Sequence, residues 1–430
     1  MKHNCLQLFI ENQKIGSLWI DESDESYKFS YNEEWRKNGY AISPHLPLNE
    51  NFNSGTVKRF LENLIPEGKG LEDITAFAHI SKNNTFAIIK AIGYDTSGAL
   101  MFGQIQESNI PLFREIPYEE LSLRIAEIQD KSIIIWDKKE RLSLAGVQEK
   151  LPVIIKDGKI GLGDGTLSST HIMKFQTNKQ SHLVINELFC MQLAKAIGLN
   201  VAPVELQRFQ GAPVLLVKRF DRVYEVDSVK RLHVIDACQM LDLPSSYKYE
   251  RNFGSGRDVK DIREGASFEK LFAKADICEV PAVAKLELLN WSIFNLLIGN
   301  SDAHAKNFSF FISKQGIKPT PFYDLLCILA HEDVEHDMAM AYGDEFHPNE
   351  IQAYQLREFA HNIGINYKLV SQTIKKQTKA IAKVLEEDFI EEEQLLDEEK
   401  QFVKKLHSII IQRVKALVKS ADEMEKISFI

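Results

Sequence analysis

The sequence predicts an α+β protein, with β-strands concentrated in its first half and α-helices in its second. Residues 6–10, 15–20 and 27–31 are short runs rich in aromatic and β-branched side chains, separated by polar turns, which is typical of an antiparallel sheet. Residues 286–298 and 395–418 repeat apolar side chains at the period of an α-helix. These patterns predict a mixed fold in which strands and helices are largely segregated.

The composition is that of an ordinary globular protein. The chain has 430 residues, of which 44% are hydrophobic and 26% charged, which is enough for two or three domains. Its net charge of −9 argues against autonomous binding to nucleic acid. The five cysteines are scattered without a C-x-x-C pair, and neither a signal peptide nor a membrane span is recognisable. We therefore expect a soluble, cytoplasmic protein with no membrane association.

The predicted elements fall into three regions along the chain. The strands above, a helix at residues 56–65 and helical patterns to about residue 92 predict a small β-rich domain over residues 1–105. Residues 226–430 are predicted to be mainly helical from Leu232 onward. Between them, residues 118–225 contain predicted helices at 118–130 and 183–197 and predicted strands at 151–155, 160–162, 171–175, 203–209 and 213–220.

The segment 300–307 (NSDAHAKN) joins a predicted buried helix to a predicted strand. Asp302 and Asn307 are five positions apart, the spacing at which the catalytic loop of protein kinases places a proton acceptor and a metal ligand. An isolated D-x-x-x-x-N is more often a structural turn, because both residues hydrogen-bond their own backbone. The rigid elements on either side and a second carboxylate at Asp324 favour a metal-dependent site here.

The remaining candidates follow the order in which a protein kinase presents its parts. A small-residue loop at residues 143–150 comes first, followed by Lys174 in an apolar strand, Glu187 in a helix and a strand end at residues 218–220. A buried Lys174 needs a partner such as Glu187 to keep its charge, and a lysine so held can neutralise nucleotide phosphates. The sequence therefore predicts a protein-kinase-like fold of two lobes, with a small N-terminal β-rich domain and an all-α C-terminal part.

Several motifs together resemble the HipA family of bacterial toxin serine/threonine kinases. They are residues 143–150 (SLAGVQEK), 170–174 (THIMK), 218–222 (KRFDR), 243–246 (LPSS), 299–308 (GNSDAHAKNF) and 321–324 (PFYD). In the N-terminal region, residues 46–48 (LPL) and 63–68 (NLIPEG) resemble that family's first domain. The resemblance spans most of the chain and weakens in the C-terminal helices.

The resemblance implies a role for each candidate residue. Asp302 would be the catalytic base, assisted by Lys174 and Glu187, and Asn307 and Asp324 would bind Mg²⁺. Autophosphorylation of Ser143 would silence the kinase, because a phosphoserine adds about 1.5 to 2 negative charges beside a site for anionic phosphates. The residues implied in ATP binding are Ala145, Gly146, Val147, Gln148, Glu149, Lys150, Lys174, Lys218, Phe220, His304, Lys306 and Tyr323.

The resemblance also implies cofactors and partners. ATP and Mg²⁺ would be the cofactors of a kinase that acts as the toxin of a toxin–antitoxin pair. A small helix-turn-helix antitoxin would bind it, and DNA would be contacted only through that antitoxin. The protein substrate would be a translation factor such as an aminoacyl-tRNA synthetase, with growth arrest as the outcome.

Two other functions stay open from the residues alone. His304 lies two residues after Asp302, as in aminoglycoside-type small-molecule phosphotransferases, so the loop does not separate a small-molecule from a protein substrate. The second alternative is a degenerate kinase fold that acts only as a scaffold bound to a DNA-binding antitoxin. Such a scaffold would have lost Lys174, Asp302 or Asp324, and all three are present.

Overall fold

The computed structural model of the chain describes residues 5–21, 23–49, 51–103, 112–137, 139–141, 148–164, 167–177, 181–225, 228–387 and 389–427. These residues form two compact units, each built from three separate segments. The first unit comprises Met1–Ser181, Glu205–Ser245 and Ser309–Ile317, and the second comprises His182–Val204, Ser246–Phe308 and Lys318–Ile430. The first unit contains most of the strands and the second is mainly helical, which confirms the predicted α+β class.

The chain begins with a four-stranded antiparallel sheet and four short helices. The strand order is β3-β2-β1-β4, and Leu6 and Leu8 of β1 face the core because alternate side chains of a strand share a face. Helix α2 ends at Glu62, three residues earlier than predicted, because Asn63 caps it by donating its side-chain amide to the carbonyl of Arg59. The elements are β1 (Cys5–Ile10), β2 (Gln13–Ile20), β3 (Tyr27–Tyr31), α1 (Glu33–Asn38), α2 (Ser54–Glu62), α3 (Gly68–Ala78), α4 (Thr85–Ile92) and β4 (Leu100–Gly103).

A six-stranded sheet follows, in the order β11-β12-β10-β8-β9-β5. Its central strands β8, β10 and β12 are largely buried, and each pairs antiparallel with its neighbour. Helix α5 is shorter than the predicted 118–130, and α6 belongs to the second unit. The elements are β5 (Leu112–Glu115), α5 (Tyr118–Ala126), β6 (Ile135–Trp136), β7 (Lys139–Glu140), β8 (Lys150–Lys156), β9 (Lys159–Asp164), β10 (His171–Phe175), α6 (Leu183–Ala196), β11 (Val204–Phe209) and β12 (Ala212–Lys218).

The region after β12 contains three more short strands, one of which lies where the sequence predicted mainly helix. Strands β13 (Arg222–Glu225) and β14 (Ser228–Arg231) form a hairpin, and β15 (Val234–Asp236) precedes the short helix α7 (Ala237–Leu241). The prediction of helix from Leu232 is wrong at β15, because these three residues pair with a strand far ahead in the sequence, Ser309–Ser313. Such pairing depends on tertiary structure and leaves no local periodicity.

The second unit contains one long helix whose C-terminal half is buried on all sides. Helix α9 begins at Pro281, whose missing N–H costs nothing in the first turn, and its residues 291–298 are all buried. It packs against α11 and α12, and α6 packs against the same two helices. The remaining elements are α8 (Phe268–Lys274), α9 (Pro281–Ile298), β16 (Ser309–Ser313), β17 (Gly316–Pro319), α10 (Ala353–Asn362), α11 (Tyr367–Leu385) and α12 (Asp397–Glu423).

A cluster of five charged residues ties the N-terminal part of the first unit to the segment after β12. Asp221 accepts hydrogen bonds from Arg219 at 2.8 Å and Arg222 at 2.7 Å. Asp95, from the loop before β4, lies 3.0 Å from Arg222 and 3.6 Å from Arg231. Burial alone would raise the pKa of the Asp221 carboxyl, but Arg219 and Arg222 outweigh it and lower that pKa to about 2. Four of the five side chains are buried, so each member of this charge cluster keeps its charge only because oppositely charged members lie beside it.

The described helices include none that is both long and apolar enough to span a bilayer. The cysteines are free thiols, and four of them are buried. Burial raises the pKa of the Cys278 thiol to about 11, so it stays protonated at neutral pH.

Candidate active site

The segment predicted to carry the chemistry connects α9 to β16. Helix α9 ends at Gly299, whose φ of 69° lies in the left-handed region that glycine adopts without strain. The Asn300 side chain donates to Asn295 of α9 at 2.8 Å, and its backbone N–H donates to the Asn295 carbonyl at 2.9 Å. The chain then forms one 3₁₀ turn, Ala305–Asn307, before entering β16. The loop therefore begins and ends on rigid elements.

Asp302 and Asn307 face each other across this loop. The Asn307 side-chain amide donates to the Asp302 carbonyl at 2.9 Å, and the Asn307 backbone N–H donates to the carbonyl of His304 at 2.9 Å. Asn307 is buried, whereas 48% of the Asp302 side chain is exposed. The asparagine thus stabilises the loop, and the aspartate presents its carboxylate to solvent.

His304 lies close to the Asp302 carboxylate. Its Nε2 is 4.0 Å from Asp302 Oδ1, and its ring is buried. Burial, helped by the charge of Lys248, lowers the pKa of His304 well below its usual value, although Asp324 favours the protonated form. His304 is therefore neutral at neutral pH, and Asp324 is close enough to act on it.

Asp324 lies at the end of a segment that is held by backbone pairing. The Phe322 N–H donates to the carbonyl of Asn200 at 2.8 Å, and the Tyr323 hydroxyl donates to the carbonyl of Lys306 at 2.7 Å. Asp324 itself has a left-handed backbone, with φ of 59°, a conformation that aspartate tolerates better than most residues. Lys306 is buried beside it in the catalytic loop. Tyr323 therefore ties the Asp324 segment to the loop of Asp302.

The residues present fit a magnesium ion. Because the Asn307 side-chain nitrogen donates to the Asp302 carbonyl, its oxygen is the atom presented to a ligand. Mg²⁺ is usually bound by one or two protein oxygens, with water and phosphate completing the octahedron. Asn307 and Asp324 supply that number. The part of the chain that the structure describes holds no group of three His, Cys, Asp or Glu side chains arranged for a transition metal.

In the first unit, Lys150 and Lys174 lie directly opposite each other on β8 and β10. Opposed residues of an antiparallel pair point to the same face, so the two ammonium groups share one side of the sheet. Both side chains are buried. Two neighbouring cations on one face suit an anionic ligand such as a polyphosphate.

Gln148 and Glu149 lead into β8 and are fixed against the end of β10. The Gln148 side chain donates to the carbonyl of Phe175 at 3.1 Å, and the Phe175 N–H donates to the Glu149 carbonyl at 3.0 Å. The Glu149 carboxylate lies 2.7 Å from Lys69 Nζ. The other predicted loop residues, Ser143, Ala145, Gly146 and Val147, lie outside the described residues.

The predicted hinge residues lie at the end of β12. Lys218 is exposed and pairs with His171 of β10, and the Phe220 ring meets Phe311 edge-on at 5.8 Å. Between them, the Arg219 N–H donates to the carbonyl of Thr170 at 3.0 Å. The hinge backbone is therefore anchored on the neighbouring strand.

The structure gathers the predicted residues into two sets. Glu187 is fully buried in α6 of the second unit, and Lys174 belongs to the first, so their ion pair stays a prediction. The first unit holds Gln148, Glu149, Lys150, Lys174, Lys218 and Phe220, and the second holds Glu187, Asp302, His304, Lys306, Asn307, Tyr323 and Asp324.

Sequence reasoning missed Tyr249, whose hydroxyl donates to Asp302 Oδ1. Tyr249 lies in the polar stretch 244–265, which the sequence marked only as an interruption between helices. Nothing local distinguishes it from its neighbour Tyr247. The contact arises only from folding, so a single sequence carries no signal for it.

Comparison with known proteins identifies the family of the chain. The HipA N-terminal domain family matches residues 6–103, and the HipA-like C-terminal domain family matches residues 142–385. The chain is 41% identical over 428 residues to the serine/threonine-protein kinase toxin HipA of Shewanella oneidensis, and the alignment covers 98% of both chains.

A solved structure extends the match to three dimensions. The HipA of Shewanella oneidensis MR-1, in a complex with HipB and operator DNA, superposes with a TM-score of 0.88 at 40% identity. The match covers 99% of this chain and 100% of that one. With both family domains present and the kinase spacing held on a rigid loop, the chain belongs to the HipA family of serine/threonine-protein kinase toxins.

Proposed function

We propose that this kinase transfers the γ-phosphoryl group of ATP to a serine or threonine hydroxyl, with Asp302 as the base. The observation that carries the proposal is the catalytic loop, in which one rigid turn holds Asp302 and Asn307 at the kinase spacing beside Asp324. Phosphoryl transfer depends mostly on positioning and on stabilising charge, and a rigid loop of this kind supplies both.

Each residue has a defined task in this proposal. Asp302 orients the substrate hydroxyl and accepts its proton. Asn307 and Asp324 hold Mg²⁺, which when bound neutralises charge on the phosphates. Lys150 and Lys174, together with the loop from Ala145 to Glu149, bind the phosphates in the first unit.

The other predicted residues complete the nucleotide site. The backbone at Lys218 and Phe220 binds the adenine. Neutral His304 and the buried Lys306 support the loop on which the transferred group is held. His304 is neutral at neutral pH, so it places no positive charge next to Asp302. Asp302 can therefore still accept the proton of the substrate hydroxyl. From the sequence pattern alone, we propose Glu187 as the partner that keeps Lys174 charged.

Regulation by Ser143 belongs to the same proposal. Phosphorylation of Ser143 adds about 1.5 to 2 negative charges beside the phosphate-binding residues and repels ATP. The kinase is then silenced. The resemblance to the HipA family supports this assignment, and the residue itself lies outside the described part of the chain.

We further propose that the chain is the toxin of a pair whose antitoxin is a small helix-turn-helix protein. The relative of known structure supports this, since it was solved with HipB and operator DNA. The net charge of −9 suits contact with DNA through the antitoxin and not directly. The substrate class we propose is a translation protein such as an aminoacyl-tRNA synthetase.

One experiment tests the catalytic assignment. The purified chain is incubated with Mg²⁺, labelled ATP and a cell lysate, beside Asp302→Asn and the matched control Asp333→Asn, which changes an exposed aspartate of a nearby loop. We expect one labelled lysate protein with the unchanged chain and the control, and at least a 100-fold slower transfer with Asp302→Asn, because a positioned base contributes about 10²–10⁴ in rate.

The same samples test the finer assignments. Mass spectrometry should find one phosphate on Ser143 in the active chain and none in Asp302→Asn. A labelled small molecule in place of a protein would identify a small-molecule phosphotransferase. Equal rates in Asp302→Asn and the control would show that the base lies elsewhere.

A further inference from the structure

We propose that Tyr249 is a positioning residue for phosphoryl transfer, because it holds the Asp302 carboxylate in the orientation that receives the substrate hydroxyl. This inference rests on the proposed role of Asp302 as the base. The Tyr249 hydroxyl donates a hydrogen bond to Asp302 Oδ1, and the two residues are 53 positions apart in the sequence. The contact is therefore built by the fold and not by the loop itself.

The backbone around Tyr249 is fixed on both sides. The Glu250 N–H donates to the carbonyl of Ala339 at 2.9 Å, and the Glu250 carboxylate accepts the N–H of Ala341 at 2.8 Å. Before Tyr249, the carbonyl of Tyr247 accepts the N–H of Ala266 at 2.9 Å. A tyrosine with two side-chain torsions on such a backbone places its hydroxyl with little freedom.

The segment also contacts the catalytic loop beyond the carboxylate. The Ala305 N–H donates to the carbonyl of Lys248 at 3.1 Å, which pins the segment to the residue after His304. The Tyr249 ring meets the His304 ring edge-on at 5.1 Å, with an angle of 89° between the rings. The Tyr249 hydroxyl, the Tyr249 ring and the Lys248 carbonyl thus contact the loop at three points.

Asp302 needs such a restraint because its side chain is half exposed. An aspartate in water turns about both side-chain torsions, and only a narrow range of orientations brings an oxygen to a bound hydroxyl. A carboxylate accepts about four hydrogen bonds, so a substrate hydroxyl can bind Asp302 together with Tyr249. The tyrosine therefore fixes the base without displacing the substrate.

The test removes only the hydroxyl. Tyr249→Phe is compared with Tyr247→Phe, a matched control that loses a hydroxyl two residues away in the same segment. Initial rates of transfer from ATP to myelin basic protein, and to the chain itself, give kcat and the KM for ATP, and calorimetry gives ATP affinity. We expect kcat to fall about tenfold or more in Tyr249→Phe, as for loss of a hydrogen bond to a charged group. The KM for ATP and the ATP affinity should stay unchanged, as should all values in the control.

Other outcomes overturn the inference. An unchanged or raised kcat in Tyr249→Phe, with Asp302→Asn still inactive, would leave the proposed base in place and remove the role of Tyr249. Equal losses of kcat and ATP affinity, or an equal loss in Tyr247→Phe, would mean that the hydroxyl serves only the structure of the segment. Full activity of Asp302→Asn would instead overturn the proposed function on which this inference depends.

Discussion

At the scale of single residues, the proposed catalytic loop is shaped by hydrogen bonds that side chains and neighbouring N–H groups donate to its backbone carbonyls. Asn307 gives its side-chain nitrogen to the carbonyl of Asp302 and thereby turns its oxygen outward. Asp324 reaches the same region from a left-handed backbone position. The Asn307 oxygen is therefore oriented before any ligand arrives, which reduces the conformational entropy lost on binding.

This orientation predicts how metal and nucleotide binding depend on each other. Asn307→Ala and Asp324→Ala should each weaken ATP binding in the presence of Mg²⁺, because each removes one oxygen ligand. Binding of ATP in excess chelator should change little in either variant. Calorimetry with and without Mg²⁺ measures both quantities, and Asp333→Ala serves as the control. Unchanged Mg²⁺-dependent binding in both variants would place the metal elsewhere.

The sequence was informative about residues that lie only a few positions apart in the chain. Asp302 and Asn307 could be predicted because five positions in one loop already define their geometry, and Asp324 follows within the same stretch. Tyr249 could not be predicted, because its contact with Asp302 depends on folding of the residues between them. The left-handed backbone of Asp324 likewise has no local pattern in the sequence that predicts it.

At the scale of elements, the end of α9 sets the start of the catalytic loop. Gly299 is the C-terminal cap, and a Cβ there would lie 2.4 Å from a methyl carbon of Leu329. Its N–H donates to the Leu296 carbonyl, while its own carbonyl accepts the N–H of Ile328 at 3.1 Å. One glycine thus joins the helix, the catalytic loop and the segment after Asp324.

Gly299→Ala should therefore destabilise the protein and slow the kinase together. We expect a loss of about 1–3 kcal/mol in the free energy of unfolding, from a left-handed alanine and the contact with Leu329. Gly198→Ala is the matched control, since Gly198 has φ of 84° but no atom within 4 Å of its Cβ position. Urea unfolding measures both, and the prediction fails if the two losses are equal or if transfer rates are unchanged in Gly299→Ala.

Elements with a strong period were predictable and elements made by pairing were not. The helix that ends at Gly299 and the strand β16 were expected from their own residues, and both are present. Strand β15 was missed because its three residues become a strand only by pairing with β16. Helices α2 and α5 end earlier than their apolar patterns suggested, and at α2 the side chain of Asn63 caps the last turn.

At the scale of the whole molecule, the α+β class followed from the segregated strand and helix patterns. The family followed from the order of the motifs, which is far more specific than any single motif. The charge cluster was not predictable, although four of its five members lie within the segment 218–231. The cluster is complete only with Asp95, which comes from another part of the chain. Three arginines and two aspartates make it a cationic group that holds together only while both carboxylates are ionised.

The cluster predicts sensitivity to acid. The pKa of Asp221 is lowered to about 2 in the folded state, against about 3.9 for an unfolded aspartate. Its contribution is therefore fully present above about pH 4 and is lost as the pH falls towards 2. Asp221→Asn should lower the free energy of unfolding at pH 7 by about 3–5 kcal/mol, because it leaves the arginines uncompensated.

Urea unfolding across this pH range measures the effect. Between pH 4 and pH 2.5 the wild-type protein should lose more stability than Asp221→Asn, which no longer has this carboxyl to protonate. Equal pH dependence in the two proteins would show that the cluster does not govern acid unfolding.

The division of each unit into three chain segments also decides when the protein can fold during its own synthesis. Strand β15 precedes its partner β16 by the whole segment Ser246–Phe308, which belongs to the other unit. The pair cannot close until the ribosome has passed residue 313, and contacts between such distant residues form slowly. Asp302 and Asp324 are also translated late. A chain that terminates before residue 300 therefore lacks both the proposed catalytic loop and the β15–β16 pair of the first unit.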